Sequence, residues 1–180
     1  MSFWRHNSAP PLQIAETSRL TLRHVGLDDA AFFLRLVNEP SWIANIGDRG
    51  VRSLADAERY IETRTLAMYR TLGFGMYVLA AKPQGQPIGV CGFFKRESLP
   101  DVDLGFALLP EFWGQGYALE AAAAVMQYGQ QTLGFARVLG ITNPDNHRSG
   151  RLLEKLGFRY ERLVQMPPDN ETLKLYVFTA

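Results

Sequence analysis

Hydrophobic and polar positions along the chain change period several times, and each change marks an element. Leu20–Val25 alternates apolar and polar residues, as a half-buried strand does. Asp28–Asn38 follows a helical period, with Asp28 or Asp29 as the cap, and Glu39–Arg52 reads as a loop. Ser53-Leu-Ala-Asp56 resembles a capping box and opens a helix running to about Leu72. Phe74–Ala81 and Ile88–Lys95 are apolar strand runs joined by the turn Lys82–Pro87, and Val102–Leu109 is a further strand. Tyr117–Thr132 is a helix rich in small residues, Ala136–Thr142 a strand, and Asn146–Leu156 a helix with Gly157 just beyond. Phe158–Met166 and Thr172–Thr179 form a closing hairpin across Pro167–Asn170. The predicted order, β-α-α-β-β-β-α-β-α-β-β, is that of an α/β (α+β) domain: a mixed sheet with helices on both faces.

Leu-Gly-Phe occurs four times, at 72–74, 104–106, 133–135 and 156–158, with no fixed period between copies. Three copies follow a helical run, where a left-handed glycine ends the helix. The copy at 104–106 lies inside a strand, where Gly105 implies a bulge or a close backbone approach.

Chemistry enters at residues 110–118, Pro-Glu-Phe-Trp-Gly-Gln-Gly-Tyr-Ala, between a strand and a helix. The first turn of a helix leaves backbone N–H groups unpaired and carries about half a positive charge. With Gly114 and Gly116 leaving the backbone uncovered, this turn is a pocket for phosphate oxygens. No Lys follows Gly116, so it is not a P-loop. Leu119 stands where a dinucleotide fingerprint needs a small residue, which argues against a nicotinamide cofactor.

Trp113-Gly114-Gln115-Gly116-Tyr117-Ala118 resembles the pyrophosphate loop of the GNAT acetyltransferase superfamily, Gln/Arg-x-x-Gly-x-Gly/Ala, with Trp113 where that family prefers Gln or Arg. Asn143-Pro-Asp-Asn146-His-Arg-Ser149-Gly-Arg-Leu-Leu-Glu-Lys-Leu-Gly157-Phe158 is similar to a second motif of its RimJ/RimL-like branch. The two stand in the family's order and spacing, and the resemblance runs from about Thr17 to the C-terminus. It implies an N-terminal extension over residues 1–16 and a GNAT domain over 17–180. That domain has a twisted, mostly antiparallel sheet whose fourth and fifth strands, Val102–Leu109 and Ala136–Thr142, run parallel and splay apart.

The resemblance also implies acetyl transfer from acetyl-CoA to a primary amine: a protein N-terminal α-amino group or a small-molecule amine. A non-catalytic acyl-CoA-binding sensor is the remaining reading. The diphosphate falls to Trp113, Gly114, Gln115, Gly116, Tyr117 and Ala118. Backbone N–H groups of Phe106, Ala107 and Leu108 face the thioester, and Asn143 and Asn146 hold the pantetheine arm, with a helix N-cap as the other role of Asn146. Asp103 is the implied general base, acting through water, with Asp101 and Glu97 as alternatives; a solvated or paired strand carboxylate is the other reading of Asp103. Many GNAT enzymes protonate the thiolate with a tyrosine. Its position here is Leu153, which leaves Ser149 to approach the sulfur. Trp42, Ile43 and Ile46, with Asn45, Asp48 and Arg49, form either an acceptor wall or packing under a loop, an ambiguity that Phe112 and Trp113 share.

Composition narrows the partners. Nineteen Lys and Arg balance eighteen Asp and Glu, so no basic footprint for nucleic acid is expected. The single cysteine, Cys91, precludes an intrachain disulfide and reads as a core residue in an apolar strand. His6, His24 and His147 lack metal-ligand spacing, so no metal is expected. Met1–Pro11 lacks a signal-peptide core, and no apolar run reaches membrane-span length. A cytoplasmic protein, monomer or homodimer, is the expectation.

Overall fold

A computed structural model describes residues 12–180; Met1–Pro11 of the expected extension lies outside them. Eight strands form one sheet: β1 (Gln13–Glu16), β2 (Leu20–His24), β3 (Met76–Ala81), β4 (Gln86–Phe94), β5 (Asp103–Leu108), β6 (Arg137–Thr142), β7 (Arg159–Met166) and β8 (Glu171–Thr179). Their order is β1-β2-β3-β4-β5-β6-β8-β7, and every neighbouring pair is antiparallel except β5 and β6. The mixed, mostly antiparallel sheet is as expected. β1 is an addition: four residues of an edge strand carry too little alternation to register as one.

Helices α1 (Ala30–Leu36), α2 (Pro40–Asn45) and α3 (Leu54–Tyr60) belong to one side of the sheet, and α5 (Tyr117–Gln131) and α6 (His147–Lys155) to the other, while α4 (Ala67–Leu72) sends Tyr69 against the second side's cluster. Two apolar clusters hold the layers. Phe33, Leu36, Trp42, Ala57 and Ile61 meet Val78, Val90 and Leu109 on the first face. Ala121, Ala122, Val125 and Leu153 meet Leu79, Cys91, Phe93 and Val138 on the second. β3 is buried nearly throughout because both its faces are covered, which explains its unbroken apolar run.

Three expectations need correction. The 39–52 segment is not all loop: Pro40 starts α2 at a position where a missing N–H costs nothing, and Trp42 is buried under it. The long helix after Ser53 is α3 and α4 joined by a π-helical stretch, Ile61–Leu66; Ser53 does cap it, accepting from the Asp56 N–H. Asp29 turns inward rather than capping α1. Its carboxylate takes two bonds from Arg23 and one from the Gly26 N–H. Glycines 73, 134 and 157 are left-handed, as the Leu-Gly-Phe pattern requires. Gly105 is not a bulge, because β4 and β5 pair without a register shift. It is a close approach, since a Cβ there would lie 2.7 Å from the Phe94 ring.

Candidate active site

The parallel pair β5–β6 has a single register pair, Asp103 with Leu139, and the Leu139 N–H donates to the Val102 carbonyl at 2.8 Å. Beyond it the six-residue strands have no further pairing, so they open as a V toward Leu108 and Thr142. The antiparallel ladder decides which β5 amides face the gap. Leu109 donates to Ile88 across β4, so by alternation the N–H groups of residues 103, 105 and 107 point to β4, and those of 104, 106 and 108 point to β6. Phe106 and Leu108 therefore present free donors in the V. Ala107 presents none there, because its N–H belongs to the β4 ladder, which corrects its place in the expected set.

The V leads up to the glycine turn. Gly114 and Gly116 have φ of +72° and +82°, a region that side-chain-bearing residues avoid, and a Cβ on Gly114 would meet nothing within 4 Å. Gly116 is the N-cap of α5 and has no side chain to cap its first N–H groups. The Trp113 indole donates to the Leu108 carbonyl at 2.8 Å, tying the turn to the end of β5. Gln115 folds back, its amide donating to the Glu111 carbonyl.

The turn is held from outside by residues that no local motif marks. Glu120, in the first turn of α5, accepts from Thr17 Oγ1 (2.6 Å), the Arg19 N–H (3.1 Å) and Arg19 Nε (2.6 Å). Arg19 also donates to the Gln115 carbonyl at 2.9 Å and lies 4.3 Å from the centre of the Tyr117 ring. Burial pushes the Glu120 carboxyl up, but the Thr17 and Arg19 bonds bring it below its ordinary pKa.

At the other lip, Asn146 caps α6, its Oδ1 accepting from the Ser149 N–H at 3.1 Å. Its Nδ2 donates to Asn45 Oδ1 of α2 at 3.1 Å, so the two helical layers meet across the mouth of the V. Arg148 lies 5.6 Å from the Trp113 ring. Asn143 closes the turn before α6 through its carbonyl, which accepts from the Asn146 N–H. Thr142, ending β6, is buried with a hydroxyl that has no partner. Leu153 is 1 % exposed and packs on Gly140, whose Cβ would stand 2.8 Å from it, so the usual tyrosine position is filled with core.

Asp103 lies at the closed end of the V, five residues or about 17 Å of strand from Leu108. It is 1 % exposed, and Arg96 Nε reaches both its oxygens, at 3.0 and 3.2 Å. Burial raises its pKa, with the Arg96 charge opposing. Of the alternative bases, Asp101 is paired with Arg137, and Glu97 is exposed. Cys91 is fully buried and its thiol pKa is raised by burial, which suits a core residue.

The donor set suits one kind of ligand. Uncapped helix amides at a glycine turn match a diphosphate. Two free strand N–H groups match the carbonyl oxygens of an extended, amide-bearing arm. Among the described residues no cluster of His, Cys, Asp and Glu could hold a metal, and no helix is long and apolar enough to cross a membrane.

A splayed parallel pair leading into a glycine-bearing helix start defines an acyltransferase-like architecture. The family model described as the acetyltransferase (GNAT) domain matches residues 19–159, and the chain belongs to the GNAT family of acetyltransferases. It is 28 % identical over 153 residues to an uncharacterized N-acetyltransferase, YoaA, of Bacillus subtilis, covering 84 % of this chain and 86 % of that one. It is 37 % identical over 76 residues to the [ribosomal protein uS5]-alanine N-acetyltransferase of Escherichia coli, covering 41 % and 39 %. RimL, a ribosomal L7/L12 α-N-protein acetyltransferase solved in complex with coenzyme A, superposes with a TM-score of 0.79 at 20 % identity, over 93 % of this chain and 97 % of that one.

Proposed function

We propose that this chain uses acetyl-CoA to acetylate an α-amino group. The observation that carries the reading is the divergence of β5 from β6 after one pairing, which frees the Phe106 and Leu108 N–H groups directly below the glycine turn. The diphosphate sits on the N–H groups around Gly114–Ala118, and the pantetheine arm lies along β5. Ser149, in the first turn of α6, stands beside the opposite lip. A strand N–H then faces the thioester carbonyl oxygen, and one preorganised donor of this kind is worth about 3 kcal/mol in the transition state. The new C–N bond forms as the C–S bond breaks. The amine proton leaves to a base, and the coenzyme departs as thiol.

The proton transfers favour an α-amine. Such an amine has a pKa near 8 (about two units below that of lysine), so about a tenth is neutral at pH 7 without a strong base, against well under a thousandth of a lysine amine. Asp103 is the proton acceptor in this reading, reached through water because it lies buried at the closed end of the V beside Arg96, and burial raises its pKa toward that of a useful base. No tyrosine is needed on the leaving side, because an alkyl thiol of pKa about 8.5 departs with little acid assistance. The RimL resemblance supports the same class of acceptor.

Calorimetry with acetyl-CoA, followed by thiol release across a panel of α-amines and ε-amines, tests the proposal. Binding with turnover on α-amines is expected. Binding without turnover on any amine would instead favour an acyl-CoA sensor, and absence of binding would remove the cradle.

A further inference from the structure

Away from the V, a cavity of about 240 Å³ opens between the loop after α2 and the exposed side of α3. Its lining includes Arg49, Asp56, Arg59, Tyr60 and Arg64. It has room for roughly eight waters, enough for a phosphate or a small dicarboxylate. Three guanidiniums face a single carboxylate, and that carboxylate is already engaged: Asp56 accepts from the Ser53 hydroxyl and the Arg52 N–H and pairs with Arg59.

Nearby acidic residues are similarly taken. Asp48 pairs with Arg52 and Glu62 with Arg70, while Glu58 does not line the cavity. Arg49 donates to the Ile46 carbonyl at 3.1 Å, and among the described residues neither Arg49 nor Arg64 has a carboxylate partner. Tyr60 lines the same cavity as both. Burial raises its phenol pKa, and the charges of Arg49 and Arg64 oppose that rise. The stretch that carries Arg64 is π-helical, a departure often found at functional sites.

One lining residue, Arg49, is tied by the chain to the mouth of the V. Asn45, bonded to Asn146 at the V's mouth, precedes Arg49 by four residues, a chain reach of no more than about 14 Å. Arginine suits this work, since its planar fork matches carboxylate and phosphate oxygens.

We propose that Arg49, Arg64 and Tyr60 receive the anionic group of the acceptor, so that the acetylated amine is a small molecule bearing a carboxylate or phosphate. This rests on the acetyl-transfer reading above. It goes beyond that reading by naming a second anchor on the acceptor, one that selects among α-amines.

Two measurements test the proposal separately from that reading. In the first, inorganic phosphate and succinate are titrated into the coenzyme-free protein at low salt, for the native chain, R64A and R49A/R64A, with thermal melts to verify folding. Both arginines are exposed, so folded variants are expected. The affinity of at least one anion should fall at least tenfold in the double variant and in part in R64A. Equal affinity in all three chains, or no binding by the native chain, would overturn the proposal. In the second, kcat/KM is compared for α-amines with a free carboxylate or phosphate and for their neutral amides or esters. The charged forms should be favoured about tenfold in the native chain and lose that advantage in R49A/R64A, while acetyl-CoA affinity stays the same. Equal use of charged and neutral amines would also overturn it. Loss of acetyl-CoA binding by the native chain would strike the acetyl-transfer reading instead, and the anion titration would still judge the cavity.

Discussion

A methyl group placed on Gly116 would stand 3.3 Å from Arg19 Nη2, on a backbone at φ +82°. Left-handed backbone costs a side-chain-bearing residue about 1–2 kcal/mol, so G116A should weaken acetyl-CoA binding about tenfold or more by calorimetry. G114A meets open space and should show the conformational penalty alone, and hence a smaller loss. Asp103 calls for a different test. Burial raises its pKa, so its contribution to stability is present at low pH and is lost as pH rises through its folded pKa. D103N should therefore leave Tm at neutral pH unchanged or slightly higher, while kcat falls and the alkaline-rising limb of the pH–rate profile flattens. A D103N enzyme with the native profile would restrict Asp103 to its pairing with Arg96. The sequence shows Asp103 as an acid on a strand. It does not show Arg96 beside it, because that pairing depends on how the chain turns between β4 and β5.

The helix–strand boundaries around the V were legible because apolar period, capping residues and left-handed glycines agree: Asn146 caps α6, Gly157 follows it, and Gly116 opens α5. Short elements were not. β1 and α2 span four and six residues, too few for a period to show, and α2 depends on tertiary burial of Trp42. The clasp on the phosphate turn was hidden for another reason: Arg19 and Glu120 lie 101 residues apart and meet only when the β1–β2 turn packs on α5. R19A and E120Q should loosen the turn, raising KM for acetyl-CoA several-fold with a smaller change in kcat. Because the Glu120 pKa is lowered on folding, its contribution is present above its unfolded value near 4.5 and is lost as pH falls through the lowered folded value. Thermal melts of the native chain should therefore decline more steeply below pH 4.5 than those of E120Q. The packing of α6 on β6 has its own test. G140A drives a methyl into Leu153, and overpacking of this kind costs about 1–3 kcal/mol, seen as a fall in Tm of several degrees.

Across the whole molecule, the sheet is continuous except where it opens between β5 and β6, and the helical layers meet over that opening through Asn45 and Asn146. The phosphate turn, the free strand amides and α6 are thereby gathered on one cleft, although 32 residues separate Gly114 from Asn146 in sequence. The turn itself could be read from the sequence, since its glycines and helix start are local. The free amides could not be read residue by residue: Phe106 and Leu108 face the cleft and Ala107 does not, a choice fixed by register against β4. The most direct test is a crystal structure with acetyl-CoA bound. The account predicts diphosphate oxygens on the N–H groups of residues 114–118 and the arm hydrogen-bonded to the Phe106 and Leu108 N–H groups, between β5 and β6. Coenzyme bound outside that cleft, or β6 closed onto β5 along its length, would contradict it.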